Sequence, residues 1–189
     1  MLIKSIYAPL KKSIRGPWPL SGVFQHDRVY YYSFGRHALH QALRSGGVVS
    51  GDVVLMPELI CRDLLSAVNA LGATVKYYSV GRDLQFNDDL KTLPHAKAIV
   101  AVNYFGFPQD LGPFRQYCEK NESLLIEDNA HGFLSHDENF NLLGTRGDVG
   151  VFSLRKTLPL YNGAALVVNK SGYCLQEPHQ PDGNGLSSS

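Results

Sequence analysis

A chain of 189 residues with a net charge of +1 carries no basic or acidic excess, which argues against charge-driven attraction to nucleic acid or an anionic membrane. With 44% hydrophobic and 19% charged residues, it has enough apolar side chains for a real core and too few charges for a disordered chain. Cys61, Cys118 and Cys174 form no C-x-x-C pair, so neither a zinc site nor a disulfide framework is signalled. The start, MLIKSIYAPLKKSIRGPWPL, lacks the continuous apolar segment of a secretory leader. No run reaches the roughly 18 apolar residues of a membrane helix. The expected setting is a reducing cytoplasm.

In chain order, residues 1–33 read as an N-terminal arm with basic and proline punctuation, ending near the aromatic cluster Val29-Tyr30-Tyr31-Tyr32 that would anchor it. The arm lies either on its own domain or on a partner subunit. Ser33-Phe34-Gly35-Arg36 then leads into HALHQALRSGG, where Leu39, Ala42 and Leu43 recur at helical spacing and Gly46-Gly47 stop the run. A helix that starts just after a glycine presents free backbone N–H groups and the positive end of its dipole, which can hold a phosphate. The same glycine can equally be an ordinary turn.

Gly51 to Pro57 holds a short apolar run between turn signals and reads as a buried strand. Leu64 to Leu71 reads as a helix, and Ala73 to Tyr78 as a strand. After a less regular segment come the strand Lys97 to Val102 and the aromatic loop Asn103 to Pro108. A helix over Leu111 to Lys120, a strand at Leu124 to Ile126, and strands at Val149 to Phe152 and Ala164 to Val168 complete the set.

Strands alternating with helices predict an α/β fold, a mostly parallel central sheet with helices on both faces. The short loop between the last two strands makes that pair antiparallel. Ligands in such folds lie beyond the carboxyl ends of the strands, so Asn103, Asp128 and Ser153, each just after an apolar run, should share that edge. From Ser171 the chain turns rich in proline, glycine and serine, and residues 171–189 read as a disordered tail.

No G-x-G-x-x-G after a strand, G-x-x-x-x-G-K-[ST] or G-x-S-x-G is present, which weakens nicotinamide, nucleotide-triphosphate and α/β-hydrolase readings. Pyridoxal 5'-phosphate (PLP) asks for other groups: a lysine amine, a carboxylate that keeps the pyridine nitrogen protonated, and donors for the phosphate. Lys156, Asp128, Ser153 and the Gly35-Arg36-His37 turn offer one candidate for each, with His131 nearby in sequence. Each has a plainer alternative. Asp128 could cap a turn, and so could His131. Ser153 could be an ordinary strand-end hydroxyl, and Lys156 with Arg155 a solvated basic pair.

The motifs GRHALHQAL, GDVVLMP, LGATVKYYSV, AVNYFGFPQDL, LIEDNAHG and GDVGVFSLRKTLPLYNGAALV occur in this order from Phe34 to Asn169. In order and spacing they resemble the large domain of the DegT/DnrJ/EryC1/StrS family, the PLP-dependent sugar aminotransferases of fold type I. The resemblance implies a PLP-binding large domain over residues 34–170, with the family's small C-terminal domain absent. It implies that Asp128 pairs with the pyridinium nitrogen and that His131 contacts the ring's phenolic oxygen. Ser153, with Gly35, Arg36 and His37, would bind the phosphate. Lys156, seven residues before Gly163, would form the Schiff base and shuttle the proton.

The implied activity is ping-pong transfer of an amino group from an amino acid, commonly glutamate, to a keto-sugar nucleotide in polysaccharide or sugar biosynthesis. A homodimer is implied by the same resemblance. Three positions depart from the family pattern. Ser153 and Lys156 are two residues closer than usual, Asn162-Gly163-Ala164 replaces a double glycine, and Cys61 stands where an aromatic ring usually stacks on the cofactor. The alternatives are a domain that binds PLP or a sugar nucleotide without turnover, and an unrelated α/β domain.

Overall fold

The computed structural model describes Phe24 and residues 28–176. Most of the expected arm and the tail beyond residue 176 lie outside the described residues. In chain order the elements are β1 (Val29–Tyr32), α1 (Gly35–Ser45), β2 (Val53–Pro57), α2 (Arg62–Asn69) and β3 (Thr74–Tyr78). β4 (Ala98–Val102), α3 (Gly112–Asn121), β5 (Leu124–Asp128), β6 (Val149–Phe152) and β7 (Ala164–Val168) follow, with short 3₁₀ turns at Tyr104–Gly106 and Leu154–Lys156.

The strands form one seven-stranded sheet in the order β1-β7-β6-β5-β4-β2-β3. The pairs from β3 through β6 are parallel, while β7 runs antiparallel to both β6 and β1. The expected reversal of the last strand is therefore present. The cluster Val29–Tyr32, read from the sequence as the anchor of an arm, is instead the edge strand of the sheet, with Tyr30 opposite Leu166.

Every residue of β4, β5 and β7 is buried because layers cover both faces of the sheet, which is why these strands read as continuous rather than alternating apolar runs. The two-residue pleat still sorts their side chains. Met56, Val100, Ile126, Val151 and Leu166 share a core with Leu39, Ala42 and Leu43 of α1 and Val68 of α2. Leu55, Ile99 and Leu125 belong to a second core with Phe114 and Tyr117 of α3, where Phe114 meets Phe86 at 5.1 Å and Tyr78 at 5.6 Å between ring centroids. Phe152, Ala165 and Val167 pack with Phe24 and Phe133 in a third cluster.

Residues 171–176, the first part of the segment read as a tail, return along α1. The Tyr173 hydroxyl donates to the Ala42 carbonyl, and the Gln176 N–H donates to Ser45 Oγ at 3.0 Å. Among the described residues no helix is long and apolar enough to cross a membrane.

One glycine controls how closely the loop before β6 can approach. A Cβ on Gly150 would lie 1.8 Å from the Gly144 carbonyl oxygen, and Gly144 itself has φ +89. Gly150→Ala should therefore destabilise the fold by about 3 kcal/mol, the upper end for overpacking, as measured by urea unfolding. A loss below about 1 kcal/mol would show that this loop yields freely.

Candidate active site

The pleat that sorts the core also builds the site. β5 directs Leu124 and Ile126 to the α1 face, and Asp128 follows in the same phase. β6 directs Val149 and Val151 to that face, and Ser153 follows. Both polar groups therefore emerge at the carboxyl edge of the sheet, beside the start of α1. There a pocket of about 350 Å³ is lined by Gly35, Arg36, Asp128, His131, Ser153 and Lys156, with Ile60, Cys61, Val102 and Tyr104 as further walls.

Asp128 is only 5% exposed. Its Oδ1 accepts the Ala130 N–H at 2.9 Å, and among the described residues no donor is bonded to Oδ2. Burial pushes its carboxyl up to about 6, against the opposing pull of the Ala130 N–H and the Lys156 charge. Lys156 ends the 3₁₀ turn that follows Ser153, its N–H donates to the Ser153 carbonyl at 3.2 Å, and its side chain is exposed.

The loop after Lys156 closes at Gly163, whose carbonyl accepts the Arg155 N–H at 3.3 Å and whose N–H donates to the Ser33 carbonyl at 2.8 Å. With φ +145, position 163 needs a glycine. The same geometry ties the lysine loop to the end of β1.

The imidazole of His131 lies nearly parallel to the Phe105 ring, at 17° and 5.8 Å between centroids. Burial, then the neighbouring Lys156 charge, lowers the His131 pKa. The adjacent Tyr104 hydroxyl donates to the Leu59 carbonyl at 2.6 Å, fixing the loop that carries Ile60 and Cys61. Burial, followed by the charges of Asp128 and Glu58, pushes the Tyr104 phenol up to about 12.

α1 begins without a side-chain cap. Phe34 occupies the cap position, and its carbonyl accepts from His37 and Ala38 at 2.9 and 3.3 Å, which leaves the N–H groups of Gly35 and Arg36 at the pocket. His37 does not line the pocket. Its ring stands edge-on to Phe34 at 5.6 Å.

Asn103 also sits at the carboxyl edge but serves the other face, because it is one residue past Val102 and so out of phase with Asp128. There it joins a group whose centre is the fully buried Glu127. Arg146 NH2 lies 2.6 Å from Glu127 Oε1, and Asn103 Nδ2 donates to the same oxygen at 2.9 Å. The Arg146 and Gly147 N–H groups donate to Oε2 at 2.9 and 3.2 Å. Asn129 adds bonds to the Gly132 and Leu143 carbonyls at 2.9 and 2.8 Å. This network joins the loops after β4 and β5 to the loop before β6. Arg146 and Asn129 have no part in the sequence reading. The available signal is Glu127 itself, a carboxylate in an otherwise apolar strand, which demands a cationic partner. Among the described residues no cluster of His, Cys, Asp or Glu could hold a metal ion.

A mostly parallel sheet with its last strand reversed, and a lysine-bearing pocket at its carboxyl edge, match the fold of solved PLP-dependent aminotransferases. The chain belongs to the DegT/DnrJ/EryC1/StrS aminotransferase family, whose model matches residues 25–172. It is 30% identical to a GDP-perosamine synthase of Escherichia coli O157:H7 over 143 residues, which is 72% of this chain and 39% of that protein. The chain thus spans about two-fifths of the length of the curated relative it matches.

Among solved structures, the aminotransferase TlmJ of Streptoalloteichus hindustanus matches with a TM-score of 0.69 at 25% identity, over 79% of this chain and 43% of that one. The E. coli GDP-4-keto-6-deoxy-D-mannose-3-dehydratase with bound hydrated PLP shares the fold with a TM-score of 0.66 at 20% identity, over 80% and 42% of the two chains.

Proposed function

We propose that residues 34–170 are the PLP-binding large domain of an aminotransferase that moves an amino group from an amino acid, glutamate by family resemblance, to a keto-sugar nucleotide. The observation that carries this is Asp128, a buried carboxylate that opens into the pocket with a single backbone N–H as its partner. A protonated pyridine nitrogen is the donor that such a group lacks, so the residues present fit the cofactor. Bound PLP supplies an electron-withdrawing ring that stabilises negative charge on the substrate carbon.

The chain's own groups do the rest. Asp128 would hold the ring nitrogen protonated, and His131 would contact the ring's phenolic oxygen. Ser153 Oγ and the first-turn N–H groups of α1 would take the phosphate. Lys156 Nζ would hold the cofactor and would serve as the proton carrier at the substrate carbon. Similarity to GDP-perosamine synthases supports a GDP-linked sugar as acceptor. The setting is the cytoplasm, and the assembly a homodimer.

Titrating the 189-residue chain with PLP should produce the visible absorption of lysine-bound cofactor. Lys156→Ala should abolish that absorption while leaving unfolding unchanged. A variant that keeps the band would refute the lysine assignment. A second reading, binding without turnover, is favoured by the openness of the lysine side, where Arg155, Lys156, Leu160 and Tyr161 are all exposed. Glutamate added to the loaded protein separates the two readings, since only a transaminase would then release 2-oxoglutarate.

A further inference from the structure

Phe34 sits at the mouth of the pocket and gathers positive charge around its ring. The Arg36 guanidinium carbon lies 4.4 Å from the ring centroid and that of Arg155 lies 5.7 Å away, both within the range of cation–π attraction. Arg36 is partly balanced by Asp63 at 3.7 Å, an open pair with the carboxylate 69% exposed. Arg155 has no acidic group within ion-pair distance among the described residues. Lys156 is the next residue, and the uncapped start of α1 adds its own partial positive charge to the same pocket.

Two guanidiniums, one ammonium and a helix start thus share one pocket with a single buried carboxyl, Asp128, and the exposed Asp63. Like charges held together cost free energy unless an anion joins them. The planar fork of an arginine suits the oxygens of a phosphate.

We propose that Arg155, carried on the Phe34 ring, is a phosphate-binding residue of this pocket. It would add a charged donor to the hydroxyl of Ser153 and the N–H groups of Gly35 and Arg36, and take a phosphate monoester dianion. This assignment rests on the PLP reading above, in which that monoester belongs to the cofactor. It also accounts for a sequence feature the reading leaves unused, the basic pair Arg155-Lys156. One member attaches the cofactor and the other holds its phosphate, and the backbone contact from Arg155 to Gly163 sets both on one loop.

The test compares PLP with pyridoxal, which lacks the phosphate, on the full chain and on Arg155→Ala. The expected result is that Arg155→Ala weakens PLP at least about tenfold and leaves pyridoxal unchanged, so the preference for the phosphorylated form shrinks. Arg155→Lys should recover part of the loss, because it keeps charge without the fork. Equal weakening of both ligands, or of neither, would overturn the assignment. So would an unchanged preference accompanied by a raised KM for glutamate, which would give Arg155 to the donor's carboxylate.

Inorganic phosphate separates this idea from the cofactor reading. If the parent chain binds no PLP but is stabilised against heat by phosphate, and Arg155→Ala is not, the PLP reading fails and the anion site stands. If neither ligand acts on the parent chain, both fail. The melting temperature of each variant without ligand should match the parent, since Arg155 is exposed and its ring contact is peripheral.

Discussion

Replacing Arg146 with leucine is expected to cost the fold about 3–5 kcal/mol, because it leaves the Glu127 carboxylate buried without its cation. Glu127 is fully buried, and Arg146 supplies a side-chain bond at 2.6 Å, a second from Nε at 2.9 Å, and its own backbone N–H. Removing only the arginine side chain keeps the two backbone donors, which cannot neutralise a charge. The Glu127→Gln, Arg146→Leu double variant should recover a large part of the loss, since a neutral amide can accept and donate among Asn103 and the backbone groups. Urea unfolding of the three variants measures this. A single-variant loss under about 1 kcal/mol would mean that water reaches Glu127 and the network is not closed.

Asp128 gives the opposite sign. Without cofactor, Asp128→Asn should be more stable than the parent at neutral pH by about 3 kcal/mol, because burial disfavours the charged carboxylate. Burial raises the folded carboxyl to about 6, above the ordinary aspartate value near 4 that the unfolded chain keeps. Between those values the native state holds a proton that the unfolded chain has released, so the parent loses stability as pH rises through the window. Above about pH 6 both states are ionised and the deficit is constant. Toward pH 3.5 the carboxyl becomes mostly protonated in both states, and the gap between parent and variant should nearly close. Urea unfolding across pH 3.5–8 tests the shape, and a gap that does not grow with pH would refute the burial argument. The same variant should bind PLP far more weakly, since an amide cannot hold a pyridinium charge. Stability and binding would then move in opposite directions at one position, as expected where a site is built at the expense of the fold.

What the residues reveal without coordinates divides along the pleat. Asp128 and Ser153 are legible because each extends the phase of an apolar run, Ile126 in one case and Val151 in the other. Asn103 looks the same on paper, yet a single residue of phase sends it to the other face and into the Glu127 network. Lys156 stands out only through the family resemblance, by its spacing of seven residues to Gly163, where the structure has φ +145. Arg146 is not legible, since its partner lies 19 residues away across a loop with no periodic signal. His37 follows Gly35 and Arg36 in sequence, but helical rotation turns it from the pocket to the Phe34 edge. The aromatic run Val29–Tyr32 is too short and too uniformly apolar to declare itself a strand. Only pairing with β7 makes it one.

That pairing has a kinetic side. Among the described strands β1 pairs only with β7, and Tyr32 meets Ala164 across more than a hundred intervening residues. During synthesis the early strand must wait, unpaired, until nearly the whole described chain has emerged. The lysine loop closes at the same moment, through Gly163 on Ser33. Such distant closures are slow, and the half-built sheet meanwhile presents the bare edge of β6 to other chains. The lysine loop and the last seam of the sheet are thus one event, and the pocket comes into being only when folding ends.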